Sequence, residues 1–174
     1  TISVNTASHN SHIGIILYFS NGNTISRNTA SSNSFDGIDL YSSTGNTISD
    51  NTASNNSQCG IYLYSASNSN NIMGNTADGN ANCGVRLDSS TGNTISGETI
   101  SSNTIHGIYL DSSQITQSRA IPPPTTTIAA SSSFHLTTIQ SQTTLLTTAN
   151  SASTSFRPQI TLSQETPQPT TSMA

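Results

Sequence analysis

The sequence predicts an all-β protein: a single-stranded right-handed parallel β-helix (solenoid) of about five 23-residue coils, followed by a poorly ordered Ser/Thr/Pro-rich tail. Three observations predict it. A repeat keeps its columns, the apolar residues inside each repeat alternate with period two, and Asn, Ser and Gly separate the apolar runs. The coils are expected over residues 1–113 and the tail over 114–174.

The blocks begin at Thr1, Thr24, Thr47, Asn71 and Thr94, with one residue inserted in the third. Ile2, Ile25, Ile48, Ile72 and Ile95 form one column, and Gly14, Gly37, Gly60, Gly84 and Gly107 another. Ile15, Ile38, Ile61, Val85 and Ile108 follow the glycines, and Leu17, Leu40, Leu63, Leu87 and Leu110 come two residues later. Asn10, Asn33, Asn56, Asn80 and Asn103 make a fifth column. Asn5, Asn28, Asn51 and Asn75 make a sixth, which Glu98 breaks.

In Gly60 to Tyr64 the alternation points Ile61 and Leu63 to one face and Tyr62 to the other, which defines a strand. Such strands are three to five residues long, so no block can bury an apolar face alone and each must stack on its neighbours. Recurring Gly and β-branched residues rule out a helical solenoid, and the blocks lack the Leu spacing of a leucine-rich repeat. Coils rising about 4.8 Å each would build a rod roughly 24 Å long. Its Asn columns could chain side-chain amides from coil to coil.

Composition excludes several functions. Charged residues are 7% of the chain, against roughly 25% in ordinary domains, so amides and hydroxyls must supply the polarity. A formal net charge of -4 with four Lys+Arg leaves no basic stripe for nucleic acid or anionic membrane. No apolar run approaches the roughly 18 residues of a membrane span. The chain opens at Thr1 inside a repeat, so a start carrying any signal peptide is expected to lie upstream in a longer repetitive protein. Two cysteines are too few to reveal a redox compartment.

The repeat, N-T-I-S-x-N-T-A, then N, then G-I-x-L, resembles those of the NosD-type periplasmic copper-binding family of right-handed parallel β-helices. It also resembles the related carbohydrate-binding and sugar-hydrolase β-helices. The resemblance covers about two thirds of the chain and rests on coil-building positions, so it speaks to fold more than to function. It implies an exported protein, extracellular, at the cell surface or periplasmic. The copper role belongs to a subset of such proteins.

Two sets of columns could carry chemistry. The residue before each column glycine reads Ile13, Asp36, Cys59, Cys83 and His106. Cys59, Cys83 and His106 at rungs about 4.8 Å apart would suit copper(I) or zinc, whereas the simpler reading makes the cysteines small hydrophobes beside a turn. A Cys59–Cys83 disulfide fits the expected Cα distance, although parallel Cβ vectors would strain it. On the outward positions of the Leu-bearing strands, Tyr18, Tyr41 and Tyr64 continue as Asp88 and Asp111. Asp39, Tyr62, Arg86 and Tyr109 occupy the adjacent column. Aromatic faces with polar neighbours could stack on sugar rings. Asp88 and Asp111 would sit about 5 Å apart, as any residues on adjacent rungs do.

These features lead to an expected non-enzymatic scaffold or adhesive rod contacting glycans or surface polymers, with no cofactor and with open ends that favour end-to-end self-association. A sugar-cleaving β-helix would need several convergent carboxylates walled by long loops, and the turns here are short. A carbohydrate-active enzyme and a copper-handling periplasmic protein are the alternatives. The sequon Asn55-Asn56-Ser57 hints at an exposed turn.

The tail reads by composition as a stalk, since Pro122 to Pro124 and its Thr runs build no core. It nevertheless keeps the coil period in the phrases beginning Ile115, Thr138 and Ile160. Codons compatible with Ile115 to Pro124, read one base earlier, give Asn-Asn-Thr-Ile-Ser-Gly-Asn-Thr-Ala-Ser, which is a coil opening. The tail is therefore expected to be the same repeat in a shifted frame, with the Ile/Leu ladder ending near Leu110. The nucleotide sequence checks this: codons after Ser113 should restore Gly-Ile-x-Leu coils in the neighbouring frame, and failure to do so leaves the stalk.

Overall fold

A computed structural model of the chain describes residues 1–119, 127–130, 135–136, 144–147 and 159–160, with side chains through residue 115. Every strand is short and every pairing is parallel, because each coil returns the chain to the same place one rung higher. A narrow sheet stacks β1 (Ile2–Ser3), β3 (Thr24–Ser26), β5 (Thr47–Ser49), β7 (Asn71–Met73), β9 (Asn93–Ser96) and β11 (Ile115–Arg119). A broader sheet stacks β2 (Ile15–Tyr18), β4 (Ile38–Tyr41), β6 (Ile61–Tyr64), β8 (Cys83–Asp88), β10 (His106–Asp111), β12 (Thr127–Ala130) and β14 (Thr144–Thr147). The short strands β13 (His135–Leu136) and β15 (Gln159–Ile160) pair with each other. A third wall is a column of single bridges, Thr6 to Thr29 to Thr52 to Thr76 to Thr99.

The two-residue alternation sets what points inward. Ile25, Ile48, Ile72 and Ile95 from the narrow sheet meet Ile38, Leu40, Ile61, Leu63, Leu87, Ile108 and Leu110 from the broad one, all fully buried. Ala30, Ala53, Ala77 and Ile100 line the third wall. Each large aliphatic side chain so buried is worth about 1.5–3 kcal/mol. The column glycines mark where two walls close. A Cβ on Gly60 would lie 2.6 Å from the Ala53 carbonyl and 2.8 Å from that of Gly84.

A coil this tight must turn its backbone at corners, and several corner residues are left-handed. Arg27, Asp50 and the glycines Gly74 and Gly97 share one such corner, with φ of 54–66°. Glycine takes this conformation without the penalty of about 1–2 kcal/mol that other residues meet.

Beside the corners, side-chain ladders satisfy backbone groups that no strand partner reaches. Asn51 Oδ1 accepts from the backbone N–H and the Nδ2 of Asn28, while its own Nδ2 donates to the Ile25 carbonyl and to Asn75 Oδ1. The Asn10–Asn103 column repeats this arrangement. Two further ladders, Asn23–Asn46–Asn70–Asn93 and Ser20–Ser43–Ser67–Ser90–Ser113, are not among the columns that the sequence singles out.

Past Ser113 the stack goes on. In β11, Ser118 stands opposite Ile95 where an Ile would continue the column. In the broad sheet Ile128 follows Ile108 and Leu145 follows Ile128. In the Leu column, however, Ala130 follows Leu110 and Thr147 follows Ala130, so strand pairing continues past Leu110 while the Leu ladder itself does not. The remaining expectations for the tail fall outside the described residues.

Truncating one ladder amide should expose how much the stack depends on it. Asn51→Ala removes four hydrogen bonds and strands the donors of Asn28, so thermal and denaturant unfolding should show a loss of about 4 kcal/mol. A loss below about 1 kcal/mol would mean the ladder merely decorates the coil.

Candidate functional site

The outer face of the broad sheet gathers every side chain that the sequence marks for ligand binding. Strand register places Tyr18, Tyr41, Tyr64, Asp88 and Asp111 in one outward column. Tyr62, Arg86 and Tyr109 lie in the next, preceded by Ile16 and Asp39. The face changes character along the rod. Coil one presents Ile16, Tyr18 and Phe19, all exposed, whereas coils four and five present Arg86, Asp88, Tyr109 and Asp111.

Stacking at rung spacing decides which ring surfaces are available. Tyr18 and Tyr41 lie face to face with centroids 4.8 Å apart, and Tyr41 meets Tyr64 edge-on at 5.0 Å. Tyr62 stacks on Tyr64 at 4.5 Å, and the Arg86 guanidinium covers it at 4.8 Å from its centroid. Tyr109 stacks with His106 at 5.1 Å and meets the same guanidinium at 5.4 Å. Several tyrosine faces are thus covered by neighbouring rings or by the Arg86 guanidinium.

What the face offers is a fixed polar array. Tyr62 Oη donates to Asp88 Oδ2 at 3.3 Å, and Arg86 Nη2 lies 3.5 Å from the same oxygen. Ser89 Oγ donates to Asp88 Oδ1 at 2.9 Å. Arg86 therefore sits between two rings with Asp88 as a carboxylate partner, and among the described residues its Nε is buried without a hydrogen-bond partner. Burial pushes the Tyr62 hydroxyl up to about 12, so it stays a donor at neutral pH.

Asp36 and Asp39, in coil two, belong to columns that the sequence assigns no buried acid, yet both are buried on this face. Asp36 Oδ1 accepts the Cys59 backbone N–H at 2.6 Å, and desolvation raises its pKa despite that bond and the nearby Arg86 charge. Among the described residues Asp39 Oδ1 has no hydrogen-bond partner. Desolvation, reinforced by the Asp36 charge, pushes Asp39 up to about 8. The signal in the sequence was an Asp on an outward position whose next rung is a Tyr.

The metal set Cys59, Cys83 and His106 does not form. The two sulfurs are bonded to each other across coils three and four, with Cα atoms 4.6 Å apart, so neither thiolate is free. His106 pairs with Cys83 in register but stacks its ring on Tyr109, and desolvation lowers its pKa. Among the described residues no three His, Cys, Asp or Glu side chains gather as metal ligands.

Stacked parallel coils with laddered interiors define a parallel β-solenoid. The chain belongs to the family described as right handed beta helix region, whose model matches residues 1–143. No curated protein sequence matches it. Among solved structures it is similar to the periplasmic alginate epimerase AlgG, with a TM-score of 0.62 and 19% identity over 94% of this chain and 39% of that one. A double mutant of AlgG aligns with a TM-score of 0.67 and 21% identity over 83% of this chain and 39% of that one. The chain thus spans well under half the length of these structures, and at such identity the likeness is one of fold. It overturns the expectation of a non-enzyme: structures that share this fold are enzymes, so plain stacked coils do not argue against catalysis.

Replacing the buried acid tests its protonation. The folded pKa of Asp39 is raised, so its contribution is fully present below the unfolded value of 3.8 and is lost as pH rises through about 8. Asp39→Asn should therefore stabilise the protein by on the order of 2 kcal/mol at alkaline pH and by little in acid, measured as unfolding free energy against pH. An equal effect at both extremes would place the carboxyl in water.

Proposed function

We propose that the broad sheet's outer face is a polysaccharide-binding surface of an exported β-helix protein. The observation that carries this is the Tyr62–Arg86–Asp88 cluster, a donor and acceptor array clamped between aromatic rings in the middle of an otherwise sparsely charged rod. Hydroxyl-rich polymers are recognised by such arrays, in which planar guanidinium and carboxylate groups hold hydrogen-bond directions fixed. Tyr109 and Asp111 one rung further on repeat the chemistry, so a chain lying along the rod meets hydrogen-bonding groups at successive coils.

Likeness of fold to a periplasmic alginate epimerase supports both a carbohydrate ligand and a location outside the cytoplasm. No helix among the described residues is long and apolar enough to cross a membrane. The face carries Asp88 and Asp111 beside its single Arg86, which favours a neutral glycan or one with sparse carboxylates over a dense polyanion.

A glycan array that includes alginate and neutral polysaccharides, followed by titration of the best binder, tests this reading. Arg86→Ala should weaken binding at least about tenfold, as expected for a lost charge-assisted contact, whereas Tyr18→Ala should change it little. If no polysaccharide binds, or if Arg86→Ala binds as well as the parent chain, the reading fails.

A further inference from the structure

Glu98 is a carboxyl where the ladder has amides. Its side chain is fully buried in coil five, the coil that begins at Thr94, and it receives Asn75 of coil four through two bonds. The Asn75 backbone N–H reaches Oε2 at 3.1 Å and Asn75 Nδ2 reaches Oε1 at 3.3 Å. In the rungs before it the corresponding amide also donates backward, Asn28 to the Ile2 carbonyl, Asn51 to that of Ile25 and Asn75 to that of Ile48. The same step from Glu98 leads to the Ile72 carbonyl. An ionised carboxylate accepts only, so it cannot make that bond, whereas a carboxylic acid can.

We propose that Glu98 carries a proton in the folded protein and that this proton is a pH-sensitive lock fastening coil five to coil four. Protonated, Glu98 offers both roles of the ladder amide from a side chain one methylene longer, with an acceptor for Asn75 and a donor for the preceding carbonyl. Release of the proton to solvent leaves a buried negative charge that can no longer donate toward the Ile72 carbonyl, with Asp50 the neighbouring charged group and, among the described residues, no cation acting on it. Neighbouring coils can relieve this only by opening, because each rung is held by the one before it.

Burial, with an added push from the Asp50 charge, raises the Glu98 pKa to about 8 despite the two lowering bonds from Asn75. Since the folded value lies above the ordinary 4.5, the stabilising contribution is fully present below 4.5 and is lost as pH rises through about 8. The proposal does not depend on any ligand of the broad sheet.

The test uses the full chain in an Asp39→Asn background, so that Asp39, whose pKa is also pushed to about 8, does not titrate in the same range. Carbon-13 NMR would follow the Glu98 carboxyl alongside the methyl groups of Ile108 and Leu110 in coil five. The carboxyl should titrate with a midpoint near 8, and the coil-five methyls should lose their native shifts over the same range. The melting temperature should fall by several degrees from about pH 5 to about pH 9, and Glu98→Gln, which keeps both hydrogen-bonding roles, should abolish the fall. A midpoint in the ordinary carboxylate range overturns the proposal, as does an unchanged pH profile in Glu98→Gln. If Glu98→Gln did not fold, the carboxyl midpoint of the parent would decide alone.

Discussion

A solenoid coil has to bury polar backbone at its corners, and this constraint shapes everything else in the molecule. Strand pairing satisfies only the flat walls. At the bends, N–H and C=O groups point along the rod into the interior, where water does not reach, and an unpaired group there would cost as much as several apolar contacts return. Asparagine answers the problem because one amide both accepts and donates. Stacked one per coil, each amide accepts from and donates to the bend beneath it and presents a donor to the amide above. The apolar columns fill the interior, but the amide ladders hold every coil at one rotation relative to the last, and the residue columns follow from that fixed registration.

That registration also explains which parts of the molecule could be read from its sequence. The Ile and Leu columns and the Gly column were legible because an inward position recurs at the same offset in every coil and accepts a narrow set of side chains. The Asn5 and Asn10 columns were legible for the same reason. The ladders at Asn23 and Ser20 were missed although their columns are equally regular. In a chain so rich in Asn and Ser, a polar column stands out only when its acceptor is known to sit over a neighbouring N–H.

The candidate site was legible in membership and not in geometry. Sequence offsets placed Tyr62, Tyr64, Arg86, Asp88, Tyr109 and Asp111 on one face, and the strand register agrees. Side-chain torsions then turned the rings against one another, which no offset encodes. Asp39 is a buried acid in a column of outward positions, and Cys59 and Cys83 are joined by a bond that spacing permitted without requiring.

Coil three holds one residue more than its neighbours, at the bend after β6, where Ser65 and Ala66 both have positive φ. Strand pairing is undisturbed on either side, with Tyr64 opposite Asp88 before the bend and Asn71 opposite Thr94 after it. The ladders bridge the extra residue as well, since Ser43 still reaches Ser67 and Asn46 still reaches Asn70. This bend is therefore a place where the fold accepts growth. Insertions there would rise beside the broad sheet's outer face, so a rod of uniform coils could evolve a side wall, and with it a cleft, without any change to the interior that holds it together.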